Sequence, residues 1–234
     1  MQFPDTRWTL IAHLNDPAKV DAALDQLCRA YWPPVHAYLM RSGYDHAQAQ
    51  DLTQDFLGMV VRQRLLERAD PAAGTLRAWL LASLRHFLAN ARRHDARQKR
   101  GAGRTILPLD HEEAAGEGRN LAAAGLSPDE AFDRAWVNVL LRRVLDGLAR
   151  QYGEAGRAAE LTALLPWLLD HADAPQAEAA AAAGMTVARF RVQLHRLRGR
   201  YRESLRQEIV ATLRHEADYE QELAYLFGLM DRSA

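Results

Sequence analysis

The sequence predicts an all-α protein, built as two small helical domains joined by a flexible linker. Alanine and leucine dominate, β-branched runs are absent, and apolar residues recur three and four positions apart, the spacing of one helix face. That periodicity fails in the stretch GAGRTILPLDHEEAAGEGRNLAAAGLSP, which is rich in glycine, small residues and charge, and returns after it. The expected organisation is a first domain over 1–100, a linker over 101–128, a second domain over 129–208 and a helical tail over 209–234. The sequence does not say what the tail packs on.

In the first domain, Pro33 and Pro34 interrupt a helical pattern, and Pro34 suits the first turn of a new helix starting near Val35. Leu52, Phe56, Met59 and Val60 mark one amphipathic helix, and Leu76, Leu80, Leu84, Phe87 and Ala91 mark another. These two apolar faces are expected to pack together. The turn Asp70-Pro71-Ala72-Ala73-Gly74 separates them, and Thr75 is placed to cap the second helix. Beyond the linker, Ser127 or Asp129 starts a helix whose apolar positions are Phe132, Trp136, Val139, Leu140 and Val144.

Composition excludes several classes. No apolar run approaches the roughly 20 residues of a membrane-spanning helix, and MQFPDTRWTL lacks a signal-peptide pattern, so a soluble cytoplasmic protein with no membrane partner is expected. Cys28 is the only cysteine, so no internal disulfide can form, and a buried thiol is expected. Neither HExxH nor CxxC occurs, a phosphate-binding glycine loop is missing, and His111-Glu112-Glu113 falls in the linker. Neither catalysis nor a cofactor nor a metal is expected.

Thirty basic and thirty acidic residues cancel, but their distribution is uneven. Residues 85–104 carry Arg85, Arg92, Arg93, Arg97, Lys99, Arg100 and Arg104 against Asp95 alone. Residues 189–206 carry seven arginines against Glu203 alone. Two basic segments in an otherwise acidic chain predict two anion-binding surfaces.

The second segment lies in a recognisable pattern: a short alanine-rich helix, a turn at Gly184-Met185-Thr186, then a longer basic helix. Glycine can adopt the left-handed conformation that ends one helix, and threonine can cap the next. This is the pattern of a helix-turn-helix. Val187, Phe190, Leu194, Leu197 and Tyr201 form the apolar stripe of the second helix, so Arg189, Gln193, Arg196 and Arg200 fall opposite, flanked by Arg191, Val192 and His195. In a major groove, arginine pairs with guanine and glutamine with adenine.

These segments resemble the bacterial RNA polymerase sigma factors of the extracytoplasmic-function type. Asp51-Leu52-Thr53-Gln54-Asp55-Phe56 resembles the helix that docks on core polymerase, which implies a docking role for Asp51, Leu52, Gln54, Asp55 and Phe56. WLLASLRHFLANARR, from Trp79 to Arg93, resembles the element that melts and reads the near (−10) promoter sequence. The basic helix from Gly184 to Arg198 resembles the region that reads the far (−35) element. The resemblance covers roughly residues 20–206 and implies core polymerase and promoter DNA as partners, with room for an anti-sigma factor. Near-element contacts are then expected from Arg77, Trp79, Arg85, His86, Asn90, Arg92 and Arg93. Far-element contacts are expected from Thr186, Arg189, Arg191, Gln193, His195, Arg196 and Arg200. His86 and Asn90 stand where the family usually carries asparagine and aspartate, which leaves the base preference open. Trp79 suits a core position as well as a DNA contact. The linker is long enough: its 28 residues extend to about 90 Å, and the two promoter elements lie about 50 to 60 Å apart.

The alternative is a stand-alone helix-turn-helix repressor or activator. It accounts for the second basic segment and leaves the first without a role.

Overall fold

The computed structural model describes residues 20–62, 75–101, 126–168, 176–213 and 215–231, with backbone alone for 94–101 and 231. Trp8, the turn 70–74, His111-Glu112-Glu113, the side chains of Arg97, Lys99 and Arg100, Arg104 and most of the expected linker lie outside the described residues. Every described regular element is helical, as expected. Among the described residues, no helix is long and apolar enough to cross a membrane.

Helix α1 spans Val20–Arg41, α2 His46–Arg62 and α3 Leu76–Gly101. Helix α4 spans Pro128–Glu154 and α5 Ala158–Leu164, followed by a 3-10 turn at Leu165–Trp167. Helix α6 spans Gln176–Ala182 and α7 Val187–Val210. A 3-10 turn at Glu216–Asp218 leads into α8, Tyr219–Asp231. By contact, the chain divides into two compact units, Met1–Val139 with Val210–Ala234, and Leu140–Ile209.

These bounds differ from the expected 129–208 domain. The start of α4, up to Val139, belongs with the first unit, and so does the tail from Val210. Asp133 of α4 and Glu222 of α8 both pair with Arg77 of α3, and the same two helices bury Phe132, Trp136, Leu226 and Leu229.

The prolines also differ from expectation. Helix α1 runs unbroken through Pro33 and Pro34. Each proline removes a backbone donor and disfavours helix at the residue before it. Burial offsets that cost: Tyr31, Pro34, Val35 and Leu39 continue the buried face begun by Ala23, Leu27 and Ala30. Gly43, with φ of +90°, then ends the helix, and the Tyr44 N–H donates to the Leu39 carbonyl at 3.2 Å.

Helix α1 packs closely on α2, and α2 meets α3 through Phe56 and Phe87, whose ring centroids lie 5.6 Å apart. Phe56 and Val60 of α2 and Leu76, Leu80, Leu84 and Leu88 of α3 are buried, while Leu52 and Phe87 are half-buried. Full burial of one such side chain contributes about 2 kcal/mol. The starts of α2, α3 and α4 are capped by side chains. Thr75 Oγ1 accepts the Ala78 N–H at 3.2 Å. Ser127 and Glu130 form a reciprocal capping box, which identifies Ser127 rather than Asp129 as the start signal of α4. Asp45 and Gln48 form a similar pair at the start of α2, adding a cap that the apolar pattern did not reveal.

Candidate nucleic-acid interface

In the first unit, the apolar stripe of α3 leaves Arg85, His86, Asn90, Arg92 and Arg93 exposed. Trp79 is half-buried. Arg85 is paired with Asp129 in a partly exposed ion pair, the kind that contributes little to stability. Arg93 Nε donates to the Ala89 carbonyl at 3.1 Å, and Arg92 Nε lies 3.4 Å from the Tyr44 hydroxyl, a long bond. The helix therefore presents a cationic track with a planar imidazole and an amide beside it, the groups that grip a backbone and touch unpaired bases.

Arg77 is the exception, and the expectation of a DNA contact there is corrected. It is only 7% exposed. Its Nη1 donates to Asp133 and its Nη2 donates to Glu222 Oε1 at 2.8 Å. The guanidinium also sits over the Trp136 and Tyr225 rings, at 5.4 and 5.3 Å from their centroids. Burial alone would favour loss of its proton, but the two carboxylates outweigh it and hold the charged form more firmly than in a free arginine. Tyr225 completes the network: its hydroxyl donates to Asp133, and burial together with that bond pushes its pKa up to about 12. Arg77 is thus a structural residue that fastens α4 and the tail helix α8 to α3.

The polymerase-docking candidates divide by their place on α2. Phe56 is buried, Leu52 is half-buried, and Asp51, Gln54 and Asp55 are exposed. Thr53, between them, is buried and donates to the Ala49 carbonyl at 2.6 Å. The exposed side of the middle of this helix carries the acidic Asp51 and Asp55, and Phe56 is part of its support.

In the second unit, Gly184 has φ of +61°, and the Met185 N–H donates to the Ala180 carbonyl at 2.9 Å, which closes α6. Thr186 Oγ1 accepts the Arg189 N–H at 3.2 Å and opens α7. A side chain at 184 would be strained in that conformation. Phe190, Leu194 and Leu197 are buried, and Phe190 meets the Trp167 ring edge-on at 6.1 Å. Arg198 Nη2 donates to the Trp167 carbonyl at 2.8 Å and so holds the turn that follows α5.

Arg189, Arg191, His195, Arg196 and Arg200 are all exposed on α7. Arg191 Nε donates to Gln176 Oε1 at 3.1 Å, and Arg200 lies over the Tyr152 ring at 5.4 Å. Gln193 departs from the expected groove-facing place. It is half-buried, and its Oε1 accepts from Arg157 Nη2 at 3.1 Å, while Arg157 also pairs with Glu160. The centre of the exposed face falls instead on Val192, His195 and Arg196. Helical geometry alone puts Val192 there, but Arg157 is drawn to Gln193 across 36 positions, which no local pattern signals.

Comparison of the chain with protein-family models, with curated proteins and with solved structures gives no match.

Proposed function

We propose that this chain is a transcription initiation factor of the sigma type, which binds core RNA polymerase and directs it to promoters. The observation that carries this proposal is the pair of exposed arginine-rich helix faces, one in each compact unit. A helix-turn-helix built from α6, the Gly184 turn and α7 reads the far element in duplex form, with Arg189, His195 and Arg196 towards the base edges. Helix α3 follows the opened near element, with Arg92 and Arg93 on phosphates and His86 and Asn90 on bases. The acidic side chains Asp51 and Asp55 on α2, with the polar Gln54 between them, meet a basic surface of the polymerase, and complementary charge there favours encounter and orientation. No reaction is catalysed by the chain itself.

A repressor or activator working alone would need only the second face. The two functions separate in one experiment: a gel shift on a pool of promoter fragments with the full chain, with and without core polymerase. Sequence-specific complexes that form only with core polymerase are the expected result. Tight specific binding by the chain alone, together with no affinity for core polymerase, overturns the proposal.

A further inference from the structure

Val192 sits in the middle of the basic face of α7 and is 50% exposed. Its helix neighbours three and four positions away are Ala188, Arg189, His195 and Arg196, all exposed. A β-branched valine is a poorer helix former than alanine, and at an exposed position it gains no packing in return. Among the described residues of the second unit, none covers this apolar side chain, which stays half exposed.

Gly199, one further pair of turns along, is a second unexplained residue on the same face. It is exposed within the helix, and a Cβ at that position would meet no atom within 4 Å. The fold therefore has no steric need for glycine at 199, and glycine weakens a helix interior. A small residue at such a place lets an external body approach the backbone closely. Ala188, Val192 and Gly199 thus form a low, apolar strip edged by Arg189, His195 and Arg196.

We infer that Val192 is a specificity-determining residue that contacts the C5-methyl group of a thymine in the far element. The inference rests on the proposed DNA-reading role of α7. In the major groove, the thymine methyl is the one apolar group that a base pair presents, so an apolar side chain among arginines selects for it. The arginines grip phosphates or guanines on either side, and Gly199 permits the approach.

The test uses the full chain with core polymerase. Bound duplexes are selected from a random pool, and each thymine of the selected sequence is replaced in turn by uracil, which removes only the methyl. At one position the wild-type affinity should fall about four-fold, the value of one buried methyl group. The Val192→Ala protein should bind the thymine and uracil duplexes equally. Wild-type affinity that is indifferent to the methyl at every position overturns the inference, as does a Val192→Ala protein that keeps the difference. Weaker polymerase association in Val192→Ala with an unchanged methyl response also overturns it, by making the strip a protein contact. If no sequence is enriched, with or without polymerase, the DNA-reading proposal itself fails.

Discussion

Arg77 Nη2 and Glu222 Oε1 lie 2.8 Å apart although 145 positions separate them in the chain. With Asp133 on the other side of the same guanidinium, this bond makes the tail helix α8 part of the first unit rather than an appendage. Removing the arginine leaves the buried Asp133 and the half-buried Glu222 without a counter-charge. Arg77→Ala should therefore destabilise the protein by about 3 kcal/mol in urea unfolding. Arg93→Ala, on the exposed face of the same helix, should change stability by less than about 0.5 kcal/mol. Equal effects would show that the network does not hold the tail.

Tyr225 makes the same network sensitive to alkali. Its pKa in the folded chain is about 12, against an ordinary value of 10.0. Below the ordinary value the hydroxyl is protonated whether the chain is folded or not, and its contribution is fully present. Between the two values the unfolded chain loses the proton first, so stability falls as pH rises through that window. The urea midpoint should decline there for the wild type and less steeply for Tyr225→Phe. Parallel profiles would remove Tyr225 from the account.

An acid limit comes from α1 and α2. The His36 ring packs edge-on against His46 at 5.2 Å, and its Nε2 is enclosed with no hydrogen-bond partner among the described residues. Burial, and then the neighbouring imidazole, lower the His36 pKa from 6.5. The neutral form is the one that fits. Its stabilising contribution is present above the ordinary value and is lost as pH falls through the lowered one. On going from about pH 7.5 to about pH 5.5, the wild type should lose more stability than His36→Phe, measured as the shift in urea midpoint. The same shift in both proteins would place the acid sensitivity elsewhere.

What the sequence made legible was local. Phe56 and Leu80 announce their helices because burial repeats every three or four residues, and Thr186 and Gly184 announce a turn because capping acts over three residues. Arg77 was misread because it carries charge beside a basic segment, and its partners lie 56 and 145 positions away. Gln193 was misplaced for the same reason. A helical projection puts it next to the polar face, but only the folded unit brings Arg157 to it. Pro33 and Pro34 misled in the other direction: a strong local breaker signal was outweighed by a buried face that continues on both sides of it.

Asp55 tests the proposed polymerase-docking surface. It is exposed beside buried Phe56, so a substitution there changes charge without disturbing the core. Asp55→Arg should leave the far-ultraviolet dichroism unchanged and weaken association with core polymerase by about tenfold in a titration. Unchanged affinity would remove the Asp51–Asp55 face of α2 from the docking surface.

Arg196 tests whether the proposed choice of promoter is separate from the proposed attachment to the polymerase. It is exposed near the centre of the α7 face, whereas Gln193 is turned aside and held by Arg157. Truncating a base-contacting arginine costs about 1 to 3 kcal/mol and relaxes specificity at about one or two base pairs. Arg196→Ala should show that loss on far-element DNA in the presence of core polymerase and should still bind the polymerase normally, because docking is assigned to α2 in the other unit. Gln193→Ala should change DNA affinity far less. It should instead lower stability by about 1.5 kcal/mol, the low end for a hydrogen bond to a charged partner. If Gln193→Ala relaxes specificity and Arg196→Ala does not, the reading face of α7 is centred on its Gln193 edge, and the exposed strip of Val192, His195 and Arg196 does not read the bases.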